Sequence, residues 1–434
     1  MHKLTLAVLI QAALISTAFA ESEQSKAEGF VEGAEGSVLF RTGYLSRDKK
    51  GGNPDTRSTG QSAIFDLNSG FTKGTVGFAV GAVFDGTVKL GENKHAGNQM
   101  LARDKRDGSA YDSFARGGAN VQARISNTTV TYGTQVMDLP ILASNTVRMV
   151  PEYFTGVLVE SNEIDNLELK AGKFTKNQMS HDISTDGQGL DRAVLWGAKY
   201  TFNDQLNTSY YGIDVEDKLE RHFGNVNYTK PLKDDASLTF DVSGYHTDWE
   251  EGADTDSHGT TDFSNRQNSI WAVSAGYSKD VHSVLVGYQD NSGNTGYDYA
   301  YNADGFQTIY LPNSYLSDFI GNDEKSLQLQ YVYNFKNRGL PGLTWVSAFI
   351  YGWDIDVSEK ANRNKVVDQA EEHEFFNQLK YTVQTGPLKD ASFRLRHSYL
   401  RMSDTYNNFA KYNSNGIGST NEWRMWLDIP VKLF

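Results

Sequence analysis

Apolar and polar residues alternate with a period of two through most of the chain. In the segment VLFRTGY, Val38, Phe40 and Tyr44 share one face, while Arg41 and Gly43 share the other. The same alternation runs through AIFDLNSGF, VGFAVGA, ANVQARIS, SLTFDVSG, WAVSAGY, SVLVGYQ, SLQLQYVYNF, NQLKYTV and FRLRHSY. Successive side chains of a strand point to opposite faces, so these segments are predicted to be strands with one apolar side.

The connections between these segments alternate in length. Short turns are predicted at Lys73-Gly74, Ser126-Asn127, SNEIDN, FNDQ, KPLKDDA, SKDVH, KNRGLPG and TGPLKDA. Longer polar connections are predicted at residues 46–60, 91–113, 175–192, 247–268, 290–325, 353–373 and 402–421, and a brief one at VEDKLER. Outer-membrane barrels alternate short periplasmic turns with longer outer loops. The pattern therefore predicts an all-β transmembrane antiparallel β-barrel of about eighteen strands.

The amino terminus has the layout of a secretory signal. Residues 1–20, MHKLTLAVLIQAALISTAFA, have a cationic start at Lys3, then an apolar run, then small residues at Ala18 and Ala20. A membrane anchor is the alternative, but it needs a longer unbroken apolar run. We expect residues 1–20 to be cleaved and residues 21–434 to form a single barrel domain in the outer membrane.

Composition supports an exported barrel. The chain has 40 Gly, 23 Tyr and 23 Phe against 8 Pro, and it has no Cys. Its mean hydropathy of -0.51 leaves no second helical transmembrane segment in the mature part. Without cysteines, neither disulfides nor thiolate metal sites can stabilise the chain outside the cytoplasm. The aromatic content suits strands, and packing or a membrane must supply the stability.

Charge narrows the possible partners. The formal net charge of -13 argues against nucleic acid. The segment TDWEEGADTDSHGTTD is rich in carboxylates but lacks the full spacing of a calcium loop, so a solvated acidic face is favoured over a metal site. Neither a cofactor nor a metal site is predicted.

One connection is unexpectedly apolar. The stretch GTQVMDLPILASNTVRMVP, residues 133–151, lies between two strand patterns, yet it is rich in Met, Leu, Ile and Val. Loops on the surface are usually polar because their backbone must be hydrated. A segment folded into the barrel would bury these residues, and Pro140 and Pro151 would stiffen it. An ordinary strand is the alternative, although the alternation is broken.

The sequence resembles the OprD-type substrate-specific outer-membrane porins over nearly all of the mature chain. The likeness is carried by FTKGTVGF, LPILASNTVRMVPEYFTGVLVESNEIDNLELKAGKF, WGAKYTFNDQL, NFKNRGLPGLTW, LKYTVQTGPLKDASFRLRHSYLR and the terminal strand. The resemblance implies an eighteen-stranded barrel whose third outer loop folds inward. It also implies a ladder of arginines on one inner wall and passive, substrate-selective diffusion of small hydrophilic solutes, such as small carboxylates or amino acids.

Candidate pore residues follow from this resemblance and from strand parity. The constriction loop is expected to contribute Met137, Asp138, Leu139, Asn145, Thr146 and Arg148. The basic ladder is expected to contain Arg41, Arg124, Arg221, Lys380, Arg394, Arg396 and Arg424. Arginine keeps its charge and offers a planar donor fork to carboxylates, so a row of arginines can pass an anion along. Any single arginine could instead pair with a lumen carboxylate such as Asp66 or Asp241.

Two other functions are alternatives to a carboxylate porin. LPGLTWVSAFIYGWD and the terminal strand also look similar to the chitoporin branch, which makes a chitooligosaccharide an alternative substrate. A barrel enzyme would need a base beside a nucleophile, and none of the nine histidines lies in a recognisable nucleophile motif. Besides small solutes, we expect outer-membrane lipid and lipopolysaccharide as partners, and a monomer or a homotrimer.

Overall fold

The eighteen strands predicted from the alternation form one sheet. A computed structural model describes residues 22–51, 54–91, 98–104, 106–185, 190–250, 266–299, 308–357, 370–408 and 417–434. The predicted signal, residues 1–20, lies outside these residues. The strands are β1 (Glu35–Lys49), β2 (Thr56–Asn68), β3 (Val76–Lys89), β4 (Ser113–Ile125), β5 (Thr128–Gln135), β6 (Tyr153–Ile164), β7 (Leu167–Gln178), β8 (Ala193–Asn203), β9 (Leu206–Val215), β10 (Leu219–Pro231), β11 (Ser237–Trp249), β12 (Gln267–Lys279), β13 (His282–Gly293), β14 (Lys325–Asn334), β15 (Leu343–Ile355), β16 (Ala370–Thr382), β17 (Ser392–Met402) and β18 (Thr420–Lys432).

The sheet closes on itself. Each strand pairs antiparallel with the next, and β1 also pairs with β18, so that Arg41 lies opposite Ser62 on one side and Asp428 on the other. Closure leaves no free edge, and every strand backbone group can be satisfied within the membrane. The closed antiparallel β-barrel predicted from the sequence is therefore confirmed.

The period of two separates an outer and an inner surface. Along β3, Val76, Phe78 and Val80 are exposed, whereas Gly77 and Ala79 between them are buried. Between residues 423 and 427 of β18, the exposed residues are likewise the apolar ones at odd positions. The exposed side matches the lipid-facing surface of a barrel, and the other side lines the lumen. Among the described residues, no helix is long and apolar enough to cross a membrane.

The two ends of the barrel differ as predicted. One end carries the short turns. Several turn residues there adopt a positive φ, for example Ser126 at 54° and Asn166 at 65°. The segment before β1 lies at this end, where Gln24 donates a backbone hydrogen bond to Ser126. The other end carries the long connections, among them a short helix α1 (Asp404–Asn408).

The buried core lies inside the barrel, where two long connections fold inward from the loop end. We call residues 136–152 the first inner loop and residues 294–324 the second inner loop, which is described at 294–299 and 308–324. The sequence predicted an inward course only for the first. Treating residues 290–325 as a polar outer connection was wrong, because Tyr297, Tyr299, Leu311, Leu316 and Phe319 are buried.

Candidate functional site: a narrowed pore

The first inner loop closes on itself before it meets the wall. Asp138–Leu139 and Leu142–Ala143 form a small two-stranded ribbon that turns at Pro140 and Ile141. The Met137 N–H donates to the Ser144 hydroxyl at 2.9 Å. Proline fixes its own φ, so the turn loses little chain entropy when the loop folds. The loop is thus a defined element rather than an irregular strand.

Apolar side chains fasten this ribbon to the wall. Met137, Leu139, Ile141 and Leu142 are each at most 4% exposed, and they belong to one cluster with inward-facing residues of the wall from β6 to β12. Burial of this size stabilises a segment by roughly 1.5–3 kcal/mol for each large side chain. The unusual hydrophobicity of residues 133–151 therefore has a structural cause.

A second anchor holds the far end of the first inner loop. Met149 and Val150 are fully buried against Leu45 and Trp426 on β1 and β18. Gly43 makes this approach possible, because a Cβ there would lie 2.2 Å from the Trp426 ring and 2.5 Å from the Met149 sulfur. Between the two anchors, residues 146 and 147 remain exposed to the lumen.

The second inner loop packs against the first. The Tyr310 hydroxyl donates to Asp138, and the Tyr310 N–H donates to the Tyr245 hydroxyl at 3.1 Å. Tyr245 in turn donates to the Pro140 carbonyl at 3.1 Å. Burial and the nearby Asp138 carboxylate raise the pKa of Tyr310, so its hydroxyl stays a neutral donor. The constriction is built from two loops that share hydrogen bonds and one apolar cluster.

A signal for the second inner loop is present in its sequence. Ile309, Leu311, Leu316, Phe319 and Ile320 give residues 308–324 the same apolar character that distinguished residues 133–151. Leu311 and Ile320 belong to the cluster that also contains the first inner loop, and Ile309 packs against it. The rest of the connection at residues 290–325 is mostly polar, so the sequence predicts an outer loop for the whole segment.

Most of the predicted basic ladder lies on four neighbouring strands. Arg394 is directly opposite Lys380 across β16 and β17, and Arg396 is directly opposite Arg424 across β17 and β18. Arg41 follows on β1, which completes the barrel beside β18. We call these five residues the basic stripe. Their register places five cations along one inner wall at three successive levels: Arg41 nearest the turn end, then Arg394 with Lys380, then Arg396 with Arg424.

Two members of the basic stripe are neutralised by carboxylates. Arg41 forms an ion pair with Asp428 at 2.8 Å and also donates to the Thr146 and Arg148 carbonyls of the first inner loop at 3.0 and 2.8 Å. Arg424 pairs with the buried Glu422. Arg41 and Arg424 therefore form the structural ion pairs that were the alternative to a substrate-binding role. Arg41 also positions the first inner loop.

The other three members have no such partner. Within the described residues, Lys380, Arg394 and Arg396 form no ion pair, and the buried Nε atoms of both arginines lack an acceptor. The Arg396 guanidinium lies 4.9 Å from the centre of the Phe376 ring, which orients it without neutralising it. No carboxylate in the described part of the chain therefore lies within ion-pair distance of these three cations.

The remaining predicted arginines lie elsewhere. Arg221 is fully buried, donates to the Tyr297 hydroxyl and the Asp298 carbonyl, and thus supports the second inner loop. Arg148 is only 2% exposed and donates to the Gln99 side chain. Because both side chains are buried, neither Arg221 nor Arg148 lines the water-filled lumen. Arg124 lies near the turn end, over the Phe71 ring at 3.9 Å, away from the basic stripe.

Two inward arginines were missed. Arg47 pairs with Glu422 at 2.7 Å, but its segment was assigned to a loop because the alternation fades before the true end of β1. Arg116 forms a fully buried pair with Asp85 at 2.8 Å and donates to the Pro151 carbonyl at 2.6 Å. Two glycines follow Arg116, so its strand has no apolar alternation at this point. Arg116 thus holds loop backbone against the wall, whereas Arg47 joins two neighbouring strands of the wall.

Comparisons with known proteins agree with this architecture. A family model described as "outer membrane porin, OprD family" matches residues 28–433. The crystal structure of Acinetobacter baumannii OccAB1 is 60% identical, covers 95% of this chain and 100% of its own, and superimposes with a TM-score of 0.89. Porin D of Pseudomonas aeruginosa is 33% identical over 433 residues, which are 95% of this chain and 94% of that protein.

A more distant solved relative was captured with a solute. The structure of Pseudomonas aeruginosa OccK2 (OpdF) in complex with glucuronate is 25% identical, covers 94% of this chain and 100% of its own, and has a TM-score of 0.76. A closed barrel narrowed from within, and matched over its length by porins, is a channel rather than an enzyme. This chain belongs to the OprD family of outer membrane porins, which let small solutes diffuse passively across the outer membrane.

Proposed function

We propose that this porin selects small anionic solutes, with carboxylates as the preferred class. The observation that carries the proposal is the pair of inward arginines without a counter-ion, Arg394 and Arg396, next to Lys380. Arg41 and Arg424 lie beside them but are already paired. An entering carboxylate would supply the counter-ion that these two guanidinium groups lack among the described residues.

The physical reasoning follows from charge and burial. A guanidinium binds a carboxylate with two parallel hydrogen bonds, and such bonds are stronger than neutral ones. In a narrow lumen, electrostatic interactions are screened less than in bulk water. Several weak sites in sequence allow a solute to enter and also to leave, as conduction requires. OccK2, whose structure contains glucuronate, shows that a relative of this fold accepts a carboxylate.

The test is ion selectivity in planar bilayers. We expect the double variant Arg394→Gln, Arg396→Gln to lower the ratio of anion to cation permeability, read from the reversal potential in a salt gradient. Arg401→Gln is the matched control, because Arg401 lies on the same strand but stacks on Tyr399 of the opposite face. An unchanged reversal potential in the double variant would exclude these arginines as the selectivity site.

A substrate panel tests the preferred class. Liposome swelling with aromatic carboxylates, amino acids and chitooligosaccharides should be fastest with the carboxylates, and the double variant should lose that preference. An oligosaccharide pore is the less supported alternative, because the matching family is that of the OprD porins. Faster swelling with chitooligosaccharides than with any carboxylate would reverse the assignment.

We also infer the surroundings of the barrel. The exposed apolar residues on the outer face, such as Phe78, Phe84 and Val121, fit a lipid environment, with lipopolysaccharide around the loop end. The barrel is expected to be a monomer or a homotrimer. Sedimentation in a density-matched detergent distinguishes the two states by mass.

A further inference from the structure

Three buried carboxyl groups hold the second inner loop in the lumen. Glu324 ends this loop, and Glu372 and Glu374 point inward from β16. Each is at most 1% exposed. We call these three residues the carboxylate clasp. Buried carboxylates are costly unless they are paired or hydrogen-bonded, so their number calls for an explanation.

Two members of the clasp bind the loop directly. Glu374 accepts hydrogen bonds from the backbone N–H groups of Leu316 and Ser317, both at 3.0 Å. Glu372 accepts from the Ser317 hydroxyl at 2.7 Å. These contacts fix the part of the loop that stacks on the wall next to Arg396, since Tyr315 lies 4.3 Å from the Phe376 ring. The clasp therefore controls where the loop lies in the pore.

The third member faces another carboxyl group. One oxygen of Glu324 accepts from the Gly321 N–H at 2.7 Å. Its second oxygen and the second oxygen of Glu372 have no donor, and the two carboxyl groups lie within hydrogen-bonding reach of each other. Two carboxylates offer only acceptors, so the contact is favourable only when one of them is protonated.

The backbone leaves room for this contact. A Cβ at residue 352 would lie 2.2 Å from the free Glu324 oxygen and 2.9 Å from the Phe319 ring, and the residue there is glycine. Tyr406 of α1 also packs at this site and interacts electrostatically with both Glu324 and Glu372. The pair is thus enclosed by β15, β16, α1 and the second inner loop itself.

The charges around the pair are mostly negative. Asp318 from the loop and Glu374 from β16 act on Glu372, while Arg396 and Arg424 act from further along the wall on Asp318. Burial raises the pKa of Glu324 well above its usual range, and the neighbouring Glu372 raises it further. The pKa of Asp318 is also raised by burial.

We propose that Glu324 and Glu372 share a proton that fastens the second inner loop inside the pore, so that the channel widens when alkaline pH removes this proton. The direction of the pH dependence follows from the linkage between proton binding and docking of the loop. An acid with a raised pKa in the docked state binds its proton more tightly there than in the released state. Docking is therefore strongest at low pH and is lost as the pH rises through the docked-state pKa. Two adjacent buried carboxylates then repel each other until the loop moves toward water.

Single-channel conductance tests the proposal. The wild-type protein should show a rise in conductance with a defined midpoint as the pH increases, above the pH at which an exposed carboxyl group titrates. Glu372→Gln keeps the shape of the side chain and supplies an amide donor to Glu324, but it cannot titrate. This variant should keep the low-pH conductance throughout. Glu324→Gln should behave in the same way and serves as the second variant if the first fails to insert.

Glu371→Gln is the matched control. Glu371 adjoins Glu372 in sequence but is exposed on the other face, where Tyr351 donates to it. Its substitution should leave the midpoint unchanged. A wild-type conductance independent of pH, or the same midpoint in both Gln variants of the pair, would overturn the proposal. So would a step abolished by a chelator, which would assign the pair to a bound cation.

Discussion

Replacing Ile141 by Ala tests whether packing holds the first inner loop in the pore. Ile141 is fully buried at the turn of the ribbon, within the cluster that the two inner loops share with the wall. The substitution removes its ethyl and methyl groups without adding a polar atom. Deletions of this kind cost about 2–5 kcal/mol, depending on how far the surroundings collapse into the cavity.

This cost should fall on docking of the loop rather than on the barrel. The loop joins β5 and β6, whose ladders with their neighbours do not involve Ile141. A loss of about 3 kcal/mol changes an equilibrium constant by roughly a hundredfold, since each 1.4 kcal/mol is tenfold. We therefore expect the time spent with the loop undocked to rise by about two orders of magnitude, while the barrel stays folded.

Single-channel recording measures this change. Excursions to a higher conductance should become frequent in Ile141→Ala, and the heat-induced gel shift of the folded barrel should be unchanged. Val147→Ala is the control, since Val147 belongs to the same loop but is 39% exposed. Equal traces for Ile141→Ala and the wild type would refute the view that buried apolar contacts fix the constriction.

Two shorter predictions concern charge pairs. Asp428→Asn removes the counter-ion of Arg41 and should raise the anion permeability ratio in a salt gradient; a fall would contradict the role of free cations. Arg116→Met leaves Asp85 buried without its partner, which should cost about 3–5 kcal/mol and lower the thermal unfolding midpoint measured by circular dichroism. The double variant with Asp85→Asn should recover part of that loss, and no recovery would contradict the pairing.

The barrel could be predicted because the alternation of apolar and polar residues is visible within each strand. Trp423 and Met425 face outward while Arg424 and Trp426 face inward, and the sequence shows this by alternation alone. The number of strands followed from counting such segments and their turns. No distant contact needs to be known for either inference, since the period of two is a property of the strand itself.

Access of the lumen cations to solvent was not predictable by the same route. Parity places Arg221 and Arg394 on the same inner face, yet Arg221 is fully buried and Arg394 is not. The difference is made by the second inner loop, whose Tyr297 covers Arg221. Alternation reports which face a side chain occupies, but what covers that face depends on residues far away in the sequence.

Pore width and the proposed charge selectivity depend largely on different residues of this barrel, and Arg41 contributes to both. Its guanidinium pairs with Asp428 in the basic stripe and also donates to the Thr146 and Arg148 carbonyls. Arg41→Gln should therefore change single-channel conductance and ion selectivity together, because it removes a cation and releases the loop. Arg394 makes no hydrogen bond to either loop within the described residues, so its substitution should alter selectivity at nearly constant conductance. If Arg41→Gln changed selectivity alone, the apolar anchors would suffice to hold the loop.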